Sequence, residues 1–237
     1  MDLNPSTIQN SLTNNSRKNI VKKLNFYDQL ITDPHLAAIE KEKCRRDPWH
    51  WLTNWVWTLD NHDPDTPVKR FPQKEYLREL TRIWQKEKLL LIPKSRQMMI
   101  TWLIVSLYLH DAIFNEGKYI FFQSKKEKDA NALIDRAKFI FNHQPYFLRP
   151  KSHQVYCELL LPKMNSKIRG IPQGGNQIRM HTASGIFMDE AAFMYEVGEA
   201  FTAAKPSVDG GGRITMVSSA NPGFFESMVN DKMTDVG

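Results

Sequence analysis

The sequence has no apolar run of membrane-spanning length, and its Asn-rich opening lacks the apolar core of a signal peptide. A membrane partner is therefore not expected. Cysteine is almost absent: Cys44 and Cys157 stand far apart with no metal-ligand spacing. That excludes a disulfide scaffold or a cysteine-rich zinc module and fits a reduced, intracellular setting. Glycine is sparse, with 11 in 237 residues and none between Pro93 and Thr101. Acids are outnumbered by bases, 26 to 32, for a net charge of +6. This excess is compatible with a polyanionic partner and equally with a generally basic surface. The length suits one large domain, or one domain with an appendage.

What the chain does have is a strand–loop–helix unit at its centre. Leu89-Leu90-Leu91-Ile92 is an apolar run of strand length, Pro93 to Thr101 is a polar loop, and Trp102 to Phe114 is apolar enough for a buried helix. A lysine and a threonine in such a loop outline a phosphate cradle. Backbone N–H groups and the helix N-terminus hold the phosphates, lysine neutralises them, and the hydroxyl takes Mg²⁺. The loop departs from G-x-x-x-x-G-K-[ST]: its lysine, Lys94, stands at the front, and Met99 and Ile100 occupy the Gly-Lys positions. On its own it also reads as an ordinary α/β connection carrying a stray lysine.

Residues 1–20, rich in Asn, Ser and Lys, read as a flexible arm, with a basic end at Arg17, Lys18, Lys22 and Lys23. A helix is expected over Pro34–Arg46. Asp47-Pro48 then supplies an N-cap and an N1 proline for a Trp-rich helix that packs against the core. Asn61–Pro67 reads as an acidic connector. Phe71-Pro72-Gln73 opens a helix to about Lys86, and the Gln73 amide offers both a donor and an acceptor to an adenine edge, or is a plain surface residue. Gly117 suits a helix C-cap, Tyr119–Gln123 a buried strand, and Ser124 the cap of a helix to Phe141. Val155–Leu161 and Lys167–Ile171 read as a β-hairpin at the sheet margin.

The strand Gly185–Met188 delivers Asp189 and Glu190 to its C-terminal end, the edge where open α/β sheets bind ligands. Asp189 suits a Mg²⁺ shell and Glu190 suits activation of an attacking water; a strand-to-helix turn capped by acids is the plainer alternative. Another strand, Arg213–Val217, runs into Ser218-Ser219-Ala220-Asn221-Pro222-Gly223, where Ser219 and Asn221 are placed to sense a γ-phosphate or simply form a turn.

Three polar strand ends in this order resemble the ATPase domain of large terminase subunits, the DNA-packaging motors of tailed bacteriophages. The resemblance runs from about Asp47 to Gly223. It rests on Phe71-Pro72-Gln73, Lys94-Ser95-Arg96-Gln97-Met98 through Thr101, Phe122-Gln123-Ser124, Asn165-Ser166-Lys167-Ile168, Gly170-Ile171-Pro172, Ile186 to Ala192, and Ser218 to Pro222. It implies an α/β fold of the ASCE-type P-loop NTPase class: a mainly parallel sheet covered by helices, with an N-terminal helical appendage and a small β-hairpin insertion. The implied division is an arm over 1–20, an appendage over 21–66, an ATPase core over 67–223 and the start of a lid or linker over 224–237.

The resemblance further implies ATP and Mg²⁺ as ligands, with Pro93, Lys94, Ser95, Arg96, Gln97, Met98, Met99, Ile100 and Thr101 forming a deviant Walker A loop. Its lysine reaches the phosphates from the front, and Arg96 supplies a second charge. Met99 replaces a glycine most members keep, so φ > 0 there implies strain. Asp189 and Thr101 hold the metal, Glu190 activates water, and Ser219 and Asn221 couple hydrolysis to movement. Arg179 matches an arginine supplied to a neighbouring subunit, with Arg169 and Arg213 as rivals. Implied partners are double-stranded DNA, a portal and procapsid, a small terminase subunit and a homo-oligomeric ring, in the cytoplasm of an infected or lysogenic bacterial host. A nuclease domain normally follows, but too few residues follow Gly223 for one, and no cutting activity is expected. Two other readings fit: a helicase-like translocase of the same fold, and a nucleotide-inactive DNA-binding or assembly module.

Overall fold

The computed structural model describes residues 26–174, 178 and 182–230. The expected arm over 1–20, and Arg179, lie outside the described residues. The chain divides into two compact units, Met1–Arg46 and Asp47–Gly237. In the first, α1 (Pro34–Arg46) forms over the expected span. Glu42 there accepts from Arg45 Nε and Arg46 Nε at 2.7 and 2.6 Å, an i,i+3/i,i+4 pattern typical of a solvated helix face.

The second unit begins at the expected cap. Asp47 Oδ1 accepts from the Trp49 and His50 amides at 2.9 and 3.1 Å and starts α2 (Pro48–Trp55). Trp51 is fully buried, with its ring edge-on to His110 and Phe114, so this helix packs as expected. The acidic stretch from Asn61 to Pro67 is not a free connector. It is the turn of a hairpin, β1 (Trp57–Leu59) and β2 (Val68–Arg70), closed by Lys69 Nζ on Asp60 and Asp63 at 2.7 and 3.0 Å. Helix α3 (Glu75–Lys86) follows.

The core is a seven-stranded sheet built from β3 (Leu89–Pro93), β4 (Tyr119–Ser124), β5 (His153–Val155), β6 (Glu158–Leu161), β7 (Ser166–Pro172), β8 (Gly185–Asp189) and β9 (Arg213–Ser218). The order is β3-β9-β8-β4-β7-β6-β5, with β3, β9, β8, β4 and β7 mutually parallel. One strand, β9, thus stands between the loop strand and the acid strand. The expected hairpin is present as β6–β7, but β7 is itself a parallel member of the main sheet, and β5–β6 extend its margin. The helices α4 (Ile100–Phe114), α5 (Glu127–Asn142), α6 (Val197–Asp209) and α7 (Phe224–Asn230) complete the unit.

Strand alternation divides the core between the two faces of the sheet. Phe121, Ile186, Met188, Ile214 and Met216 pack with Ala200, Phe201, Ala204, Phe225 and Met228 of α6 and α7. Phe122 and Phe187 meet Tyr108 of α4 on the other face, and Tyr108 meets Trp84 of α3. Each such buried side chain contributes about 1.5–3 kcal/mol. The polar tips are satisfied: Trp84 Nε1 donates to Thr215 Oγ1 at 3.1 Å and Tyr108 Oη donates to the Ile186 carbonyl at 2.9 Å. Gly185 permits this approach, since a Cβ there would meet the Tyr108 ring at 2.6 Å.

Two expected caps are placed differently. The C-cap of α4 is Asn115, and Gly117 (φ 71°) lies beyond it, its amide bonded to the Met164 carbonyl where the chain turns into β4. Ser124 is the last residue of β4, and the N-cap of α5 is Lys126. In both cases the strand's neighbours claim the residue before the helix does. Among the described residues no helix is long and apolar enough to cross a membrane, and neither cysteine forms a disulfide.

Candidate functional site

Because β3, β9 and β8 run parallel, Pro93, Ser218 and Asp189 finish at one edge of the sheet. That register brings the three polar strand ends together. Lys94 Nζ donates to Glu190 Oε1 at 2.6 Å. Thr101 Oγ1, in the first turn of α4, donates to Asp189 Oδ1 at 3.1 Å. Ser219 reaches Glu190 Oε2 through its hydroxyl at 3.1 Å and its amide at 3.3 Å. Asn221 Nδ2 donates to the Ala192 carbonyl at 2.8 Å, tying the loop after β9 to the segment after Glu190.

Ser218 was not among the expected site residues. Its hydroxyl accepts from the Ala192 amide at 3.1 Å and lies 3.5 Å from Glu190 Oε2, while its carbonyl accepts from the Lys94 amide at 2.9 Å. The cue in the sequence was a small hydroxyl directly after an apolar strand run; its place opposite Pro93 comes from the strand register. Through this pairing the cradle loop and the acid turn share one scaffold.

The electrostatics of the two acids diverge. Burial, reinforced by the Glu190 charge, pushes the Asp189 carboxyl up to about 6, against the opposing pull of Lys94, Arg136 and the Thr101 hydrogen bond. Burial also acts upward on Glu190, but the Lys94 hydrogen bond and charge, with the Ser219 donors, outweigh it and hold Glu190 below its ordinary value. Glu190 is further held in the left-handed region at φ 52°, a conformation that costs a non-glycine residue about 1–2 kcal/mol and concentrates at functional sites.

The loop carries similar strain. Met99 takes φ 57°, ψ 7° as the N-cap of α4, and Gln97 takes φ 62°. The left-handed geometry the resemblance implied at Met99 is therefore present without a glycine. Tyr76 Oη on α3 donates to the Met98 carbonyl at 3.1 Å and braces the loop from outside.

A cavity of about 1120 Å³ opens beside the loop, lined by Lys94, Gln97, Met98, Met99, Ile100 and Thr101, by Pro72 and the β1–β2 hairpin, and by the Arg136 face of α5. Of the expected loop residues, Pro93, Ser95 and Arg96 are exposed and not among its lining. Gln73 is also exposed and outside the lining, although its neighbour Pro72 belongs to it. Arg213 stands at the opposite end of β9 with its guanidinium 3.9 Å from the Trp84 ring centroid, and Arg169 pairs with Glu158 at 3.3 Å on β7.

A hydroxyl and a carboxylate oxygen 3.1 Å apart, at Thr101 and Asp189, are hard donors spaced like neighbouring ligands of an octahedral ion with bonds of about 2.1 Å. The residues present therefore fit Mg²⁺. Lys94 and the first turn of α4 border the same space and fit a polyphosphate.

No protein-family profile matches the chain. Solved structures with a similar fold include the ATPase domain of a Thermus phage large terminase, in a single-residue mutant form. It shares 14% identity over 67% of this chain and 70% of that one, with a TM-score of 0.53. The bacteriophage HK97 large terminase shares 13% over 77% of this chain and 39% of its own, with a TM-score of 0.58. The large terminase of a thermophilic bacteriophage shares 21% over 69% of this chain and 43% of its own, with a TM-score of 0.51. The chain thus spans less than half the length of the last two. At these identities the likeness is one of architecture: this chain has the fold of the phage large terminase ATPase domain.

Proposed function

We propose that this chain is a Mg²⁺-dependent ATPase and serves as the ATPase part of a large terminase, driving double-stranded DNA into a procapsid through a portal. The observation that carries the reading is the convergence of Lys94, Thr101, Asp189, Glu190 and Ser219 on one sheet edge, where Lys94 and Thr101 also line the cavity. Fold likeness to terminases supports the packaging role. The proposed partners are DNA, the portal and procapsid, a small terminase subunit and further copies of this chain in a ring in the bacterial host. Arg179 is proposed as the residue that completes the neighbour's site. Lid or linker character over 224–237 belongs to the same proposal.

The chemistry follows from the contacts. When bound, Mg²⁺ neutralises the phosphate oxygens and orients them for in-line attack. Lys94 leaves Glu190 and takes the phosphates, with Arg96 adding charge from the loop tip; the lysine's new partner carries more negative charge than one carboxylate. Glu190, no longer paired, accepts a proton from water as the water oxygen bonds to the γ-phosphorus. The β–γ bridging P–O bond breaks, and ADP and phosphate leave. Ser218, Ser219 and Asn221 hold Glu190 and its following turn, so that loss of the γ-phosphate changes the position of the loop after β9.

Steady-state phosphate release with Mg²⁺ and ATP, with and without DNA, tests this reading. Glu190→Gln removes the base and is expected to lower turnover by at least about 100-fold, the usual scale for a general base. Turnover retained in that variant rules out Glu190 as the base. No turnover by the wild-type chain at any protein concentration favours the inactive assembly module.

A further inference from the structure

Four lysine or arginine side chains line the cavity beside the loop: Lys69, Arg70, Lys94 and Arg136. Three are committed. Lys69 pairs with Asp60 and Asp63, Arg70 stacks on Trp57 and donates to the Asn54 carbonyl, and Lys94 pairs with Glu190. Arg136 differs. Among the described residues it makes no ion pair and no hydrogen bond, and its neighbour Asp135 is taken by Lys138 at 3.6 Å.

Its guanidinium is nevertheless held in place. It lies 5.7 Å from the centroid of the Trp102 ring, and that ring meets Phe139, one turn further along α5, edge-on at 5.9 Å. Trp102 directly follows Thr101 in the first turn of α4. The α5 arginine therefore lies beside the turn that carries the metal-binding hydroxyl, and its charge is felt at Asp189. A half-exposed guanidinium over the Trp102 ring, lining the cavity without an ion pair among the described residues, is suited to bind an anion that enters.

We propose that Arg136 is a phosphate-binding residue supplied in cis by α5, gripping the nucleotide's polyphosphate in the cavity that Lys94 also lines. This rests on the nucleotide reading given above and extends it to an element outside the cradle loop. Its function requires the planar fork of arginine more than a single positive charge, because two phosphate oxygens can be held at once.

Calorimetric titration of the chain with Mg²⁺ plus ADP or a non-hydrolysable ATP analogue tests the proposal in wild type, Arg136→Gln and Arg136→Lys. The expected result is an affinity loss of at least about 10-fold in Arg136→Gln, on the scale of one charge-assisted hydrogen bond. Arg136→Lys should recover part of it. The salt dependence of binding should flatten in Arg136→Gln while the melting temperature of the ligand-free variant stays at the wild-type value. Wild-type affinity in Arg136→Gln overturns the assignment and leaves the nucleotide reading standing. A wild-type chain that binds neither nucleotide overturns both. Loss of DNA binding with nucleotide affinity intact reassigns Arg136 to the DNA surface and overturns the proposal.

Discussion

Asp189 and Glu190 are adjacent in the chain yet experience opposite fields. Asp189 ends a fully covered strand and is desolvated, whereas Glu190 turns out toward Lys94 and Ser219. The consequence for Asp189 is a testable pH dependence. Its carboxyl holds a proton to about pH 6 in the folded chain, while an unfolded aspartate releases it near about 3.9. Between those values the folded state binds more protons, so stability falls as pH rises through the window. Asn does not titrate and still accepts from Thr101. The melting temperature of Asp189→Asn relative to wild type should therefore climb between pH 4 and 7 in metal-free buffer. A flat difference across that range contradicts the raised carboxyl. Both acids were legible from sequence because a three-residue apolar run ends in them. Their division of labour was legible only as a type of chemistry, since burial and partners depend on β9.

At the scale of elements, the cradle loop shows how far local pattern reaches. Lys94 and Thr101 mark a strand-to-helix loop, and the missing glycine at Met99 signals strain, which the left-handed backbone there bears out. Met99→Gly should release about 1 kcal/mol of that strain, a rise in melting temperature of about 2–4 °C for a chain of this size. A fall in melting temperature means that Met99 packing outweighs its backbone cost. The β1–β2 hairpin was not legible. Its strands are three residues each, too short for alternation to register, and the Asp-Asn-His-Asp-Pro-Asp-Thr-Pro turn has linker composition. Its antiparallel register is reinforced by the ion pairing of Lys69 with Asp60 and Asp63. Arg136 escaped notice for a related reason: on α5 it reads as one charge of a solvated face, and only its approach to Trp102 across the helix pair gives it a role.

At the scale of the whole unit, strand order does the positioning. Inserting β9 between β3 and β8 places Ser218 between Lys94 and Glu190, so the cradle and the acids are linked through one residue rather than through a long lever. Alternating helices and buried strands made the parallel sheet legible, but the order of strands follows from long-range pairing that no local window contains. Lys94 and Glu190 form an ion pair at 2.6 Å. In the proposed reaction, phosphate binding at Lys94 frees Glu190 to take the proton of the attacking water.

Calorimetric titration of the chain with Mg·ATP under non-hydrolysing conditions, in wild type and Lys94→Ala, tests the phosphate cradle at its central residue. One bound nucleotide per chain is expected in wild type, and at least about a 10-fold weaker affinity in the variant, the loss expected for a charged hydrogen bond to phosphate. Equal affinity in the two proteins, or no binding by wild type at millimolar nucleotide, would contradict a phosphate cradle at Lys94.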